Sequence, residues 1–451
     1  MKRTLYICYF GVREPLVQTQ VLPYLREIRK AVGETGSRGE GEFEVSLLTF
    51  EPNREDKDKA EFAETKKSLA AEGIEWDWLP YHKRPSAAAT LWDILRGAFY
   101  IWRRIGRFDI LHGRVHVPTL MAALARKVSR RHPKLLFDIR GFFPEEYTDA
   151  GVWPENGLLY RSAKRVERWL MKESDGFVLL TEKAREILFG VRREECGVRN
   201  SEATEISQSE IRSSKSVNPH SGLRIPQSQR PVEVIPCCVD FERRFSGDRK
   251  LLRASVRKQL KIENRFVIVH VGALGGLYLT NEIADLLTVA RERDPATFAL
   301  FLSQTDRKVI GPLLLARGFG PDDYFIGRVP PAEIEGYLYA SDVGLSIVKA
   351  SYATQSRSPT KNAEYLACGL PIVANSGVGD VDALILDNGV GALLTDFDTA
   401  SYAAALDRID GLGDVGDKCR EVARREFDLE TVGGPRYRRL YKNLLEERQN
   451  K

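Results

Sequence analysis

The segment Ser358–Asp380 combines a lysine, a glutamate and glycine-rich turns in a spacing that suits nucleotide binding. Lys361 and Glu364 are three residues apart, so a helix would place both on one face, one turn apart. Pro359 fits the first turn of such a helix, because its missing N–H is not needed there. A lysine beside a helix N-terminus can bind a diphosphate, and a carboxylate one turn on can accept hydrogen bonds from a ribose diol. The spacing therefore indicates a nucleotide-sugar site, but it also fits an ordinary α/β unit with a surface ion pair.

This segment, PTKNAEYLACGLPIVANSGVGD, resembles the donor-site signature of family 4 glycosyltransferases, which have the GT-B fold. Other stretches resemble one bacterial branch of that family, with the pattern SPTKxxEYLACGLP, and they follow the family order over nearly the whole chain. These stretches are Leu5–Leu25, Asp109–Pro118, Phe137–Trp153, Val234–Asp240, Val271–Tyr278 and Ile347–Tyr352. The resemblance implies an α/β protein with two Rossmann-like domains facing across a cleft and a C-terminal helix crossing back to the first domain. It also implies retaining sugar transfer without a protein nucleophile.

Strand and helix patterns alternate along the chain, as is typical of parallel sheets covered by helices on both faces. The predicted strands are residues 4–10, 43–50, 74–80, 108–113, 134–140, 176–181 and 232–236, and then 265–272, 297–303, 323–327, 342–348, 371–375 and 391–395. Two such series predict two Rossmann-like domains, with ligands at the carboxyl ends of the strands. We assign residues 1–239 to an acceptor-side domain and residues 240–451 to a nucleotide-sugar-binding domain. The last helix, Arg436–Glu447, is expected to cross back to the first domain.

Residues 192–229 differ from the rest of the chain, because they are rich in Ser, Arg, Glu and Asn. Such a stretch cannot bury enough apolar surface to offset the entropy lost on ordering. We therefore expect a flexible insertion on the surface of the first domain.

Glycosyl transfer places negative charge on the leaving diphosphate, which needs cations and N–H donors when no metal is present. Lys361 is the first candidate for the catalytic cation. The loop Gly272–Gly276 could present successive N–H groups to the phosphates, or it could simply form a tight turn. The full set of donor-binding candidates is Gly275, Gly276, Arg328, Lys349, Ser358, Thr360, Lys361, Glu364, Gly377 and Gly379.

The chain departs from the family pattern at two positions. The resemblance implies that Glu364 binds the ribose, but the first of the family's paired glutamates would fall at Ser356. Many members also carry an Arg/Lys pair after the glycine loop, where this chain has Leu277–Thr280. Arg328 or Lys349 is the candidate to replace that pair.

On the N-terminal side, the catalytic candidates are His112 and Arg114, which end a predicted strand. The resemblance implies a histidine or basic group near the transferred sugar, although a lone histidine at a strand end is more often structural. The acceptor-side candidates are Gln18, Asp138, Arg140 and Glu145. Asp138 and Arg140 should point to one face, because side chains alternate along a strand.

Composition and missing motifs exclude several classes of protein. The chain has 451 residues, 43% of them hydrophobic and 29% charged, as in a soluble globular protein. No GxGxxG fingerprint or P-loop is present, which argues against an NAD dehydrogenase. We expect no metal, because no DxD-like pair has suitable neighbours, and no cofactor or nucleic-acid partner. Six scattered cysteines and the absence of a long apolar run predict a cytoplasmic protein with free thiols.

The basic excess lies in the first part of the chain. Residues 1–190 hold 32 Lys and Arg against 27 Asp and Glu, whereas residues 191–451 balance at 36 and 36. Within Leu91–Phe108, a helix would place Leu91, Leu95, Ala98, Phe99 and Trp102 on one face, with arginines largely opposite. This pattern is typical of a helix on an anionic membrane surface, and equally of a helix packed on a sheet.

The leading hypothesis is therefore a retaining glycosyltransferase of the hexosyl or a related type (EC 2.4). It would move a sugar from a nucleotide-diphosphate sugar to a glycan or lipid-linked acceptor in cell-surface polysaccharide synthesis. A nucleotide-sugar 2-epimerase of the same architecture is the first alternative. An inactive partner subunit of a glycosyltransferase complex is the second, and intact Lys361 and Glu364 argue against it.

Overall fold

The computed structural model of the chain describes residues 1–30, 43–52, 59–82, 84, 86–190 and 230–446. The predicted insertion at 192–229 lies outside these residues.

The first part of the chain forms a seven-stranded parallel sheet with the order β3-β2-β1-β4-β5-β6-β7. Its strands are β1 (Lys2–Ile7), β2 (Phe43–Pro52), β3 (Ile74–Tyr81), β4 (Ile110–Arg114), β5 (Lys134–Asp138), β6 (Gly176–Leu179) and β7 (Val232–Val234). Its helices are α1 (Pro15–Gln20), α2 (Leu22–Arg29), α3 (Lys59–Ala71), α4 (Ser86–Arg104), α5 (His116–Lys127), α6 (Phe143–Asp149), α7 (Leu158–Glu173) and α8 (Glu182–Phe189).

The second part forms a six-stranded parallel sheet with the order β10-β9-β8-β11-β12-β13. Its strands are β8 (Phe266–Val271), β9 (Thr297–Leu302), β10 (Tyr324–Gly327), β11 (Val343–Ser346), β12 (Ile372–Asn375) and β13 (Gly391–Leu394). The helices that follow β7 are α9 (Arg249–Leu260), α10 (Thr280–Arg293), α11 (Gly311–Ala316), α12 (Ile334–Tyr339), α13 (Thr360–Ala367), α14 (Val381–Asn388), α15 (Thr399–Asp410), α16 (Gly416–Phe427) and α17 (Gly434–Glu446).

Every predicted strand is present, and the two-sheet α/β architecture is confirmed. The strands could be predicted from the sequence because parallel sheets are covered on both faces, which favours continuous apolar runs. In β9, for example, all six residues of TFALFL are buried.

The C-terminal helix α17 crosses back to the first sheet, as expected. It contacts α2 and β7 and buries Tyr437, Leu440, Tyr441 and Leu444 in the same core as strand β1. The last helix therefore completes the core of the first domain.

In each sheet the strand order reverses once, between β1 and β4 and between β8 and β11. Ligands of open α/β sheets bind outside the carboxyl ends of the strands at such a reversal. In the second sheet this crevice lies between the loop Gly272–Gly276, which follows β8, and residues 347–357, which follow β11.

Candidate functional site

Tyr365 fixes α13 at the crevice of the second sheet. Its hydroxyl accepts a hydrogen bond from the Val271 amide of β8 (2.9 Å) and donates one to the Leu345 carbonyl of β11 (3.2 Å). The ring lies directly over Gly344, where any Cβ would collide with it. Tyr365 thereby ties α13 to the carboxyl ends of β8 and β11.

Lys361 lies in the first turn of α13 and is 8% exposed. Its Nζ is 4.7 Å from the centroid of the Tyr278 ring, and within the described residues it has no hydrogen-bond partner. It also lies beside Gly272, because a Cβ built there would be 3.7 Å from Nζ. Burial lowers the pKa of Lys361 to about 7, and the nearby Glu364 carboxylate only partly offsets this. The site thus holds a buried amine with no ion-pair partner among the described residues.

His270 of β8 adds to the polarity of this crevice. The residue is buried, and its Nε2 is 3.1 Å from the carbonyl oxygen of Ala273. Burial and the positive charge of Lys361 both lower the pKa of His270 well below its usual value. The imidazole is therefore neutral at physiological pH, and Lys361 is the cation that a diphosphate would meet.

The loop Gly272–Gly276 does not present the row of free backbone amides that the sequence suggested. Three of its amides already donate within the protein, those of Gly272 to Leu302 O (3.0 Å), Leu274 to Thr305 Oγ1 (3.1 Å) and Gly275 to Thr280 Oγ1 (2.8 Å). The threonine hydroxyls supply acceptors that the sequence pattern did not indicate. Gly275 and Gly276 have positive φ angles of 79° and 62°, as a tight turn requires. Of these two glycines, Gly276 is the exposed one.

Glu364 forms an ion pair that sequence reasoning missed. Its Oε1 is 2.6 Å from Nη1 of Arg244, which lies 120 residues earlier in the chain. No local spacing could have indicated a partner so distant in sequence. A ribose bound by Glu364 would therefore share the carboxylate with Arg244.

The other donor-side candidates have different surroundings. Arg328 and Lys349 are exposed, and Thr360 opens α13. The hydroxyl of Ser358 accepts a hydrogen bond from the Cys237 amide (3.2 Å). The amide of Gly377 donates to the Asp382 carboxylate (3.1 Å), and that of Gly379 to the Thr354 carbonyl (3.1 Å).

His112, Arg114 and Arg140 lie around the carboxylate of Asp138, and all four side chains are largely buried. The roles of His112 and Arg114 near the transferred sugar stay predictions. His112 and Asp138 are 0% exposed. The Nδ1 of His112 is 2.7 Å from the hydroxyl of Tyr441, a residue of α17. Burial lowers the pKa of His112, although Asp138 opposes the shift. These positions face the helix that returns from the end of the chain, which the strand pattern alone does not show.

Asp138 and Arg140 do point to one face, as the alternation predicted, with an ion-pair distance of 2.8 Å. Burial alone would raise the pKa of Asp138, but the adjacent Arg140, His112 and Arg114 outweigh it and lower that pKa. Arg114 donates to the Gln20 carbonyl (3.1 Å). The cluster therefore sets two guanidinium groups, those of Arg114 and Arg140, against the single carboxylate of Asp138.

The remaining acceptor-side candidates lie apart from this cluster. Gln18 is exposed on α1, and its Nε2 donates to the Val12 carbonyl (2.7 Å). Glu145 is buried against α7, where Lys164 (2.9 Å) and Tyr160 (3.1 Å) contact its carboxylate. Burial raises the pKa of Glu145 despite Lys164.

Two kinds of feature are absent from the described part of the chain. No group of three or more His, Cys, Asp or Glu side chains there is arranged to hold a metal ion. None of the helices described is both long enough and apolar enough to cross a membrane.

Comparisons with known proteins agree with this architecture. Residues 26–198 match the family described as the glycosyl transferase 4-like domain. No curated protein sequence matches the chain significantly.

Three solved structures are similar in fold over almost their whole length. Sucrose-phosphate synthase from Thermosynechococcus elongatus is 16% identical, with a TM-score of 0.66 and coverage of 99% of this chain and 100% of that one. Anabaena Alr3699/HepE in complex with UDP and glucose is 13% identical, with a TM-score of 0.64 and coverage of 98% and 100%. WaaG, a glycosyltransferase involved in lipopolysaccharide biosynthesis, is 13% identical, with a TM-score of 0.61 and coverage of 96% and 98%. The chain therefore has the GT-B fold.

The low pKa of Lys361 predicts proton uptake when a diphosphate binds. At pH 8 a group of pKa about 7 is roughly nine-tenths deprotonated, and an anionic ligand raises that pKa, so we expect nearly one proton taken up per site. The ligand for this measurement is the nucleoside diphosphate among UDP, GDP, dTDP and ADP that raises the Tm most. Calorimetry in buffers of different ionisation enthalpy measures the uptake. The variant Lys361→Met should abolish it, and an equal uptake in that variant would exclude Lys361 as its source.

Replacing Glu364 tests the ribose contact. Hydrogen bonds to a charged acceptor contribute roughly 1.5–3 kcal/mol each, so Glu364→Ala should weaken binding of the same nucleotide at least about tenfold. Glu421→Ala, which removes an exposed carboxylate on α16, is the matched control. Unchanged affinity in a well-folded Glu364→Ala protein would contradict the assignment.

Proposed function

We propose that this protein is a retaining glycosyltransferase of the hexosyl or a related type. It moves a sugar from a nucleotide-diphosphate sugar to a glycan or lipid-linked acceptor in cell-surface polysaccharide synthesis. The observation that carries the proposal is the buried amine of Lys361, which has no hydrogen-bond partner among the described residues and lies beside Gly272, at the crevice where ligands of this fold bind. The match to a glycosyl transferase 4-like domain supports the reaction class. The similar Anabaena structure holds UDP and glucose, and WaaG acts in lipopolysaccharide biosynthesis, which supports the donor and acceptor classes.

The proposed reaction uses the two parts of the chain differently. Residues 240–451 bind the donor, with Lys361 on the diphosphate and Glu364 on the ribose, and residues 1–239 bind the acceptor. The bond from the anomeric carbon to the diphosphate breaks, and the acceptor hydroxyl bonds to that carbon on the face that the diphosphate leaves. The hydroxyl proton passes to the departing phosphate oxygen. Lys361 stabilises the negative charge that develops there, so the step as proposed requires no metal or other cofactor.

The nucleotide-sugar 2-epimerase alternative needs a carboxylate free to exchange protons. Glu364 is instead held by Arg244 at 2.6 Å, which favours a fixed hydrogen-bond acceptor. Burying the Lys361 amine without a hydrogen-bond partner among the described residues costs free energy. An inactive partner subunit would gain nothing from this burial.

Donor turnover without an acceptor tests the proposal. We expect slow release of free sugar from a nucleotide sugar in the presence of EDTA, and a loss of about 10²–10³-fold in Lys361→Ala. Lys258→Ala, which removes an exposed lysine of α9, is the control. An isomerised donor would support the epimerase, and activity that EDTA abolishes and Mg²⁺ restores would contradict a metal-independent step.

We further propose that the protein works at the cytoplasmic face of the membrane and binds it reversibly through α4. Five large apolar side chains of this helix are between 43% and 57% exposed. These are Leu91, Trp92, Leu95, Phe99 and Trp102. The face of α4 that packs on the protein is a different one, formed by Ile94, Ala98 and Ile101 among others. Ala98 therefore does not belong to the outer stripe, and the packed-helix alternative does not account for the five exposed side chains.

The basic residues of α4 are also placed for an anionic surface. Arg96 and Arg103 are exposed, and the guanidinium of Arg103 lies 5.8 Å from the ring centroid of Phe99. Exposed apolar side chains beside arginines are the pattern of a helix that lies in a membrane interface. Each such arginine contributes about 1 kcal/mol near an anionic leaflet.

Vesicle co-sedimentation tests this surface. The protein should sediment with phosphatidylglycerol vesicles at low salt, and much less at 1 M salt, where the Debye length is about 3 Å. Trp92→Ala combined with Phe99→Ala should weaken partitioning at least about tenfold, because burying each ring contributes roughly 1.5–3 kcal/mol. Leu315→Ala, which removes an exposed apolar side chain of α11, is the control. No sedimentation of the unaltered protein at low salt would contradict the proposal.

A further inference from the structure

Helix α13, which carries Lys361, is preceded by a turn that contacts the first domain at several points. The Phe142 amide donates to the Ser356 hydroxyl (3.1 Å), and the Thr181 hydroxyl donates to the Gln355 carbonyl (2.8 Å). Arg357 forms an ion pair with Glu146 of α6 (3.1 Å). The contacts come from three consecutive residues, 355–357.

Asp380 makes a second contact between the domains, because it caps α8 of the first domain. The first amides of any helix lack partners within the helix. In α8, the Thr181 side chain accepts from the Ala184 amide (3.0 Å). Asp380 accepts from the amides of Glu182 (2.7 Å) and Lys183 (3.0 Å). The amides of residues 182–184 at the start of α8 therefore all have acceptors when the two domains are in contact.

The packing around these contacts is close. The ring of Phe142 stacks on that of Tyr352 with centroids 5.1 Å apart. A Cβ on Gly379 would collide with the Arg357 carbonyl and lie 2.9 Å from Cγ2 of Thr181. Ser356 itself is 2% exposed.

We propose that Ser356, Arg357 and Asp380, with their partners Phe142, Glu146 and residues 181–183, form an interdomain latch. Ser356 and Asp380 are positioning residues, which hold the start of α13 in a set relation to the acceptor-side domain. Because α13 carries Lys361 and Glu364, the latch sets the position of a bound donor relative to an acceptor on the first domain. This part of the inference rests on the proposed function.

Hydrogen exchange tests the latch without any substrate. Ser356→Ala removes no contact to α8, yet loosening a cooperative latch should speed exchange of the Glu182 and Lys183 amides at least about fivefold. Asp380→Ala should speed it further, and Asp380→Asn, which keeps one acceptor oxygen, should restore part of the protection. Asp387→Ala, which removes an exposed carboxylate of α14, the helix that follows Asp380, is the control. Unchanged α8 exchange in Ser356→Ala would show that the contacts are independent and would overturn the latch.

Kinetics then test its role in transfer. We expect Asp380→Ala to lower kcat at least about tenfold while nucleotide Kd changes less than about threefold, since the donor residues lie within one domain. A parallel loss of nucleotide affinity would assign Asp380 to the donor site itself and overturn the positioning role. If the unaltered protein turns over no nucleotide sugar, the proposed function fails, whereas the exchange measurement still decides whether the latch exists.

Discussion

The burial of the Lys361 amine, with no counter-ion in the part of the chain that the structure describes, is the constraint on which the candidate site depends. A desolvated ammonium is costly, and the protein reduces the cost by lowering the pKa of Lys361 to about 7. An anion arriving at the crevice would remove the same cost by pairing with the charge. Because the charged form of Lys361 is disfavoured while the site is empty, the site favours an anionic ligand over a neutral one. His270 lies beside Lys361 and is neutral, so the positive charge that an anion would meet here is that of the Lys361 Nζ.

The surrounding fold restrains helix α13 and, with it, the amine of Lys361. Tyr365 ties α13 to two adjacent strands, and the glycine at position 344 lets its ring lie against the sheet. The Tyr278 ring lies under Nζ and offers a π face, which is a weak partner that an anion can outcompete. The site is thus organised before any ligand binds, which reduces the ordering that binding would require.

The sequence predicted all thirteen strands because most of them are short stretches rich in apolar residues between polar turns, which is a local property. It also predicted that Asp138 and Arg140 share a face, since alternation is local as well. It did not indicate what covers His112, because the contact with Tyr441 depends on a helix more than 300 residues away. Arg244 was missed for the same reason. In α4 the hydrophobic pattern predicted a helix, but only the packing of Ile94 and Ile101 shows which apolar side chains face outwards. Local patterns therefore predicted the elements, and long-range contacts decided what surrounds each side chain.

The return of α17 to the first sheet has a consequence for biosynthesis. Tyr6 and Tyr24, from the start of the chain, are covered by Tyr437 and Tyr441, which a ribosome adds some four hundred residues later. Domains generally fold as units in the order in which they are synthesised. Here part of the apolar core of the first domain stays uncovered until α17 has been synthesised. The nascent chain exposes that apolar surface until then, and truncation before α17 would leave it open permanently.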